Sequence, residues 1–276
     1  ITPRPYAKAQ NPPRQANFPS MFDLQKKEQA DRISARYIAK QVEPFFSGIL
    51  VLGSAFMAIM LFGAGSILGG LLFLLPVAIA AFEAGLHVMS EKPAGVYTKQ
   101  VREMNAFAEK SDRVFGLMFN QRTLSSHKKI RDIVQSGELG EIQRTNYIIT
   151  TWFRSQSYYD SGGWRATWAG EGGGVLMNQC PHNLDLWQWI CGKPNRVRAF
   201  IGFGKYHNIE VDDSVTAYVE YENGGTGVFI TTTGEAPGTN RLEIAGDRGK
   251  IVLENRTITF WRTRESVSKF NKERTS

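Results

Sequence analysis

A helix that is apolar nearly all the way round can exist only inside a domain, and residues 181–191 read as one. Pro181 suits a first helical position. Leu184, Leu186, Trp187 and Ile190 cover most of the circumference, and Gly192 followed by Pro194 stops the helix. Its polar members are therefore the informative ones. Asn178, His182 and Asp185 cluster at its start, where backbone N–H groups are unpaired and the helix dipole is positive. A positive field disfavours imidazolium and keeps the ring neutral near physiological pH, the form a general base requires. Asp185, three residues on, shares a helix face with His182 and is placed to orient it. The competing reading of the same residues is a partly buried histidine capping a helix.

A second constraint lies upstream. Residues 45–82 carry no charge, and residues 45–75 form a nearly continuous apolar run. That exceeds the roughly 20 residues that cross a bilayer, so a transmembrane helix over 45–75, with lipid as its partner, is the expectation. Residues 1–44 before it are a polar, partly disordered arm with a short helix over 26–42 ended by Pro44. Lys26, Lys27, Arg32, Arg36 and Lys40 precede the run and only Lys92 follows it closely, which places the N-terminus in the cytoplasm. A single crossing exports the remainder, whereas a hairpin turning near residues 63–65 returns it. Both stay open, as does a cytoplasmic chain in which the run is buried core.

The 276 residues carry a formal charge of +7, but lysine and arginine are spread along the chain without a basic run, which argues against nucleic-acid binding. Cys180 and Cys191 fall within one predicted helix, so they are no disulfide framework. His87, His127, His182 and His207 lack ligand spacing, and no metal is expected.

From residue 76 the pattern alternates: helix 77–86, strand 87–90, helix 98–110, strand 114–119. This is the signature of βαβ units and a parallel sheet. Glu91-Lys92-Pro93 follows the first strand, at the carboxyl end where open α/β sheets bind ligands. A helix over 125–136 leads to a strand over 141–152. After the buried helix, strands are expected over 196–203, 214–221, 226–233, 241–245, 250–254 and 257–262, much of it a meander with turns at 222–225 and 246–249.

The run Gly-Gly-Gly-Val-Leu-Met-Asn-Gln-Cys-Pro-His-Asn-Leu-Asp-Leu-Trp resembles the active-site helix of the glucose-fructose oxidoreductase and inositol dehydrogenase (Gfo/Idh/MocA) family, and Glu91-Lys92-Pro93 resembles that family's Glu-Lys-Pro signature. The resemblance spans about residues 76–276 and is incomplete at both ends. It implies an α/β plus α+β fold: the distal half of a Rossmann-like sheet over 76–122, then a large open, mainly antiparallel sheet domain over 123–276 that binds substrate and pairs subunits.

By the same resemblance the activity is NAD- or NADP-dependent hydride transfer on a secondary alcohol of a sugar or cyclitol. Lys92, His182 and Asp185 are then the catalytic candidates. Asn178, Asn120, Arg122 and Trp164 are the substrate candidates, and Glu91, Lys92, Pro93 and Arg165 the cofactor candidates. In this view the chain is membrane-associated with the oxidoreductase-like part in the cytoplasm. Two departures stand out. Many members carry aspartate where this chain has Asn178, and Gly63-Ala64-Gly65-Ser66-Ile67-Leu68 misses the third glycine of a pyrophosphate-binding turn. The alternative is a noncatalytic, membrane-anchored or composite polypeptide carrying a family fragment.

Overall fold

Parallel strands need a crossover, and the first part of the computed structural model, which describes residues 67–274, is built around one. Strands β1 (Val88–Ser90) and β2 (Phe115–Leu117) pair in parallel, and helix α2 (Thr98–Lys110) connects them. Helix α1 (Ile67–Glu83) runs in before β1. Ala78, Ala81 and Phe82 from α1, Val88 from β1 and Met104 from α2 bury one another in a small core. Phe82 meets the ring of Phe115 edge-on at 5.8 Å.

Helix α1 corrects the expected boundary between an apolar span ending at residue 75 and a helix beginning at 77. Pro76 lies inside one continuous helix, whose following turns are held by the packing of Ala78, Ala81 and Phe82. Among the described residues, no helix is long and apolar enough to cross a membrane. Most of the expected span, residues 45–66, lies outside the described residues, as do the polar arm and the Gly63–Gly65 turn.

After β2 a 3₁₀ turn (Asn120–Thr123) precedes helix α3 (Ser125–Gln135). Strand β3 (Ile142–Ile149) follows, then a long excursion containing helices α4 (Gln156–Asp160) and α5 (Pro181–Cys191). The chain returns as strands β4 (Arg196–Phe203), β5 (Asp212–Glu220), β6 (Thr226–Thr232), β7 (Asn240–Gly246), β8 (Gly249–Glu254) and β9 (Thr257–Arg262), and closes on helix α6 (Val267–Glu273). These strands form one sheet in the order β4-β5-β6-β3-β7-β8-β9. The expected meander is interrupted at its centre: β3 is inserted between β6 and β7, parallel to the first and antiparallel to the second, which makes the sheet mixed.

One face of this sheet is covered. Ile130 and Ile133 of α3 and Trp187 and Ile190 of α5 pack with Tyr147, Phe229, Leu242, Ile244 and Ile251 of the strands. Each such side chain, fully buried, is worth roughly 1.5–3 kcal/mol. Trp187 stacks on Phe229 at 5.6 Å, and its indole N–H donates to Thr145 Oγ1 at 3.0 Å, so that N–H is not left stranded where the helix meets the sheet. Helix α5 is thus fixed from within. Its start lies beside Asn178, whose carbonyl is reached by Lys92 from the end of β1.

Candidate active site

The turn ahead of α5 is shaped by close backbone approaches. Gly172 has φ +72°, and a side chain there would meet the Val96 carbonyl oxygen at 2.6 Å; one on Gly174 would overlap that of Asp212. The buried carboxylate of Asp212 accepts from the N–H groups of Gly174 (2.7 Å) and Leu176 (3.0 Å). The glycines therefore serve packing. They bring the residue 172–178 segment against the stretch that follows Lys92.

Lys92, after the end of β1, donates from Nζ to the backbone carbonyl of Asn178 at 3.0 Å. Burial lowers its pKa, with Glu91 opposing. His182, the second residue of α5, meets Phe119 edge-on at 5.8 Å. Its Nδ1 is buried without a hydrogen-bond partner, which leaves Nε2 as the nitrogen open to the cleft. Its pKa is lowered, first by burial and then by the Lys92 ammonium, against smaller opposing effects of Asp185 and Glu91. The expected neutral ring is thus reached chiefly by desolvation and a neighbouring cation. Lys92, Asn178 and His182 come together here, with the exposed carboxylate of Glu91 nearby and Pro93 following through a cis peptide bond.

Asp185 has a different partner from the one expected. Its carboxylate is held by Arg122 through two bonds, Nε to Oδ2 at 2.8 Å and Nη2 to Oδ1, and it makes none with His182. The Arg122 guanidinium lies over Phe119 (5.7 Å) and Trp189 (5.6 Å). Arg122 and Asp185 therefore clamp the 3₁₀ turn to α5, and the bidentate pair takes the place of the expected imidazole contact. Asn120, at the start of that turn, is exposed.

Trp164 and Arg165 pack on each other at 4.4 Å. Arg165 also covers Tyr158 at 4.6 Å and donates to its hydroxyl (3.0 Å) and to Ser161 Oγ (3.1 Å). A cavity of about 500 Å³ opens beside Arg165, and one of about 380 Å³ between Arg248 and Lys269. Neither includes Lys92 or His182.

One residue of the cleft is absent from the sequence-based candidates. Glu171 is buried; Ala166 N–H donates to its Oε2 at 2.6 Å, and the Asn178 side-chain amide donates to its Oε1. Burial raises its pKa, opposed by the Ala166 bond, Arg165 and Asn178. Its one sequence signal is a carboxylate placed directly before three glycines.

The mixed sheet with its helix-bearing excursion is similar in fold to solved dehydrogenases. The WlbA dehydrogenase of Chromobacterium violaceum, solved in complex with NADH and UDP-GlcNAcA, superposes with a TM-score of 0.63 at 29% identity, over 72% of this chain and 58% of that one. Residues 127–252 match the GFO/IDH/MocA C-terminal domain. Among relatives, D-glucoside 3-dehydrogenase of Escherichia coli is 33% identical over 164 residues, 53% of this chain and 45% of its own length. Trans-1,2-dihydrobenzene-1,2-diol dehydrogenase of Bos taurus is 30% identical over 173 residues, 62% of this chain and 48% of its own. The chain spans about half the length of the curated relatives it matches.

Proposed function

We propose that residues 76–274 are the substrate-side portion of a Gfo/Idh/MocA oxidoreductase site in a composite chain, carrying proton-transfer and polyol-binding groups, with residues 63–68 departing in sequence from a pyrophosphate-binding turn. The supporting observation is the meeting of Lys92, from the end of a parallel strand, with Asn178 and His182 at the mouth of a buried helix. The reaction class these groups would serve, with a complete nicotinamide cofactor in place, is oxidation of a secondary alcohol of a sugar or cyclitol, or its reverse. The residues present fit the nicotinamide end of NAD or NADP, where a half-buried ammonium and an imidazole with one open nitrogen face the cleft. Residues 63–66, where the sequence comes nearest to a pyrophosphate-binding turn, lie outside the described residues. Bound, the nicotinamide supplies the hydride acceptor. His182 Nε2 would then take the hydroxyl proton, Lys92 would donate a hydrogen bond to the same oxygen, and Asn178 would bind a neighbouring hydroxyl. The Arg122–Asp185 clamp holds the two walls in register.

The second reading is a self-sufficient NAD(P)-dependent dehydrogenase, and the retained β1–α2–β2 crossover favours it. Titration of tryptophan fluorescence with NADH and NADPH separates the two. The composite reading expects little quenching by either. Saturable quenching overturns it in favour of the complete enzyme.

We also propose that the chain pairs with a second copy through the uncovered sheet face. Phe200 and Tyr218 are 71% and 40% exposed there, and register places them in line with Ile230, Ile148 and Val228. The same face carries Arg144, Arg241, Glu243 and Glu254, already paired across strands. A face holding both signs around an apolar strip is self-complementary under a two-fold axis.

A further inference from the structure

Buried carboxylates need donors, and Glu171 has two of unlike kind: the Ala166 backbone N–H and the side-chain amide of Asn178. An ionised carboxylate only accepts, so the end of the amide that meets it is the NH₂. Asn178 Oδ1 makes no hydrogen bond within the chain and is not among the buried atoms lacking a partner, so it is the end open to solvent. The backbone carbonyl of the same residue is occupied by Lys92. Asn178 is thereby fixed at both its main chain and its side chain, with one acceptor left over.

We propose that Glu171 is a positioning residue that holds the Asn178 amide nitrogen-inward, so that the cleft offers Oδ1 as a hydroxyl acceptor beside Lys92 and His182 and selects vicinal diols. The inference rests on the polyol reading of the cleft. One hydroxyl lies between Lys92 and His182, and its neighbour donates to Oδ1. The pair is matched: Asn178→Asp alone would set two carboxylates against each other, and one of them would have to hold a proton. Exchanging the two roles, by Glu171→Gln together with Asn178→Asp, restores the pattern. The introduced amide then accepts from Ala166 through its oxygen and donates inward through its nitrogen, and the introduced carboxylate keeps one oxygen facing the cleft.

The test uses the full chain labelled with ¹⁵N-asparagine. The Asn178 NH₂ signal, assigned by its loss in Asn178→Asp, is expected downfield in the wild type and displaced in Glu171→Gln. Myo-inositol is the binding probe, followed by NMR titration. Glu171→Gln and Asn178→Asp each weaken its binding roughly tenfold, the scale of one positioned hydrogen bond. The double variant Glu171→Gln/Asn178→Asp returns it to within about threefold of the wild type. Melting temperature is recorded for every variant, so that loss of fold is separated from loss of recognition. An Asn178 signal unmoved by Glu171→Gln, or a folded Glu171→Gln chain that binds myo-inositol as the wild type does, overturns the proposal. A wild type that does not bind myo-inositol, with the amide signal behaving as expected, sinks the polyol reading and leaves the amide orientation standing.

Discussion

Lys92 Nζ donates to the carbonyl of Asn178 at 3.0 Å, although 86 positions separate the two residues. That bond draws the end of β1 to the entrance of α5 and fixes an ammonium within electrostatic reach of His182, whose proton affinity burial already reduces.

The His182 midpoint is therefore expected below its ordinary 6.5, and Lys92→Met should raise it while burial keeps it from full recovery. The unfolded chain binds this proton more readily than the folded one, so the stability tied to His182 is present above pH 6.5 and lost as pH falls through the folded midpoint. Following the imidazole Hε1 resonance through pH in both proteins decides it. A midpoint indifferent to Lys92 would separate the two residues functionally.

Arg122→Ala leaves the Asp185 carboxylate, whose side chain is 11% exposed, without its guanidinium. Because the arginine is itself 43% exposed, the expected loss is about 1–2 kcal/mol in urea unfolding. Arg122→Lys should recover only part of it, since an ammonium cannot make the two-pronged contact.

Asp213 sits wholly inside the fold, accepting from the N–H groups of Lys205 (2.9 Å), Tyr206 (2.8 Å) and His207 (3.1 Å) and facing His207 Nδ1 at 3.1 Å. Asp213→Asn puts an NH₂ among donors. A loss of about 3 kcal/mol or more is expected in thermal or chemical unfolding; a change within about 0.5 kcal/mol would mean that the loop does not depend on the charge.

Both thiols are buried, and burial pushes Cys180 up to about 12 and Cys191 higher. Neither should react with a thiol-exchange reagent at about pH 8 in the folded chain, and both should react in urea. Rapid labelling without denaturant would show that the α5 region opens.

Phe200→Glu on the outward sheet face should convert a sedimenting dimer to a monomer without lowering the melting temperature of the remaining fold. A wild type that sediments as a monomer across concentration removes the pairing proposal.

Helix α2 and strands β4 and β9 appear in the structure with the bounds their residue patterns suggest, because each is punctuated by its own breakers. The parallel pairing of β3 with β6 leaves no such mark, since nothing in alternating apolarity names a partner. His182 stands out in the sequence because it sits at a helix start where unpaired groups gather, and Lys92 through its resemblance to the Glu-Lys-Pro signature. Glu171 does not: its partners, Ala166 and Asn178, converge on it only once the glycine turn has folded. Helix periodicity pairs Asp185 with His182, but it ranks neighbours on one helix and is blind to an arginine arriving from another element.

Both neighbours of β3 come later in the chain than β3 itself. During synthesis that strand emerges with two open edges and must wait, first for β6 and then for β7, before either is satisfied. Maturation of this half of the molecule is accordingly a late event, and a nascent chain released before Gly246 would present an unpaired strand edge to whatever chaperone or neighbouring chain is at hand.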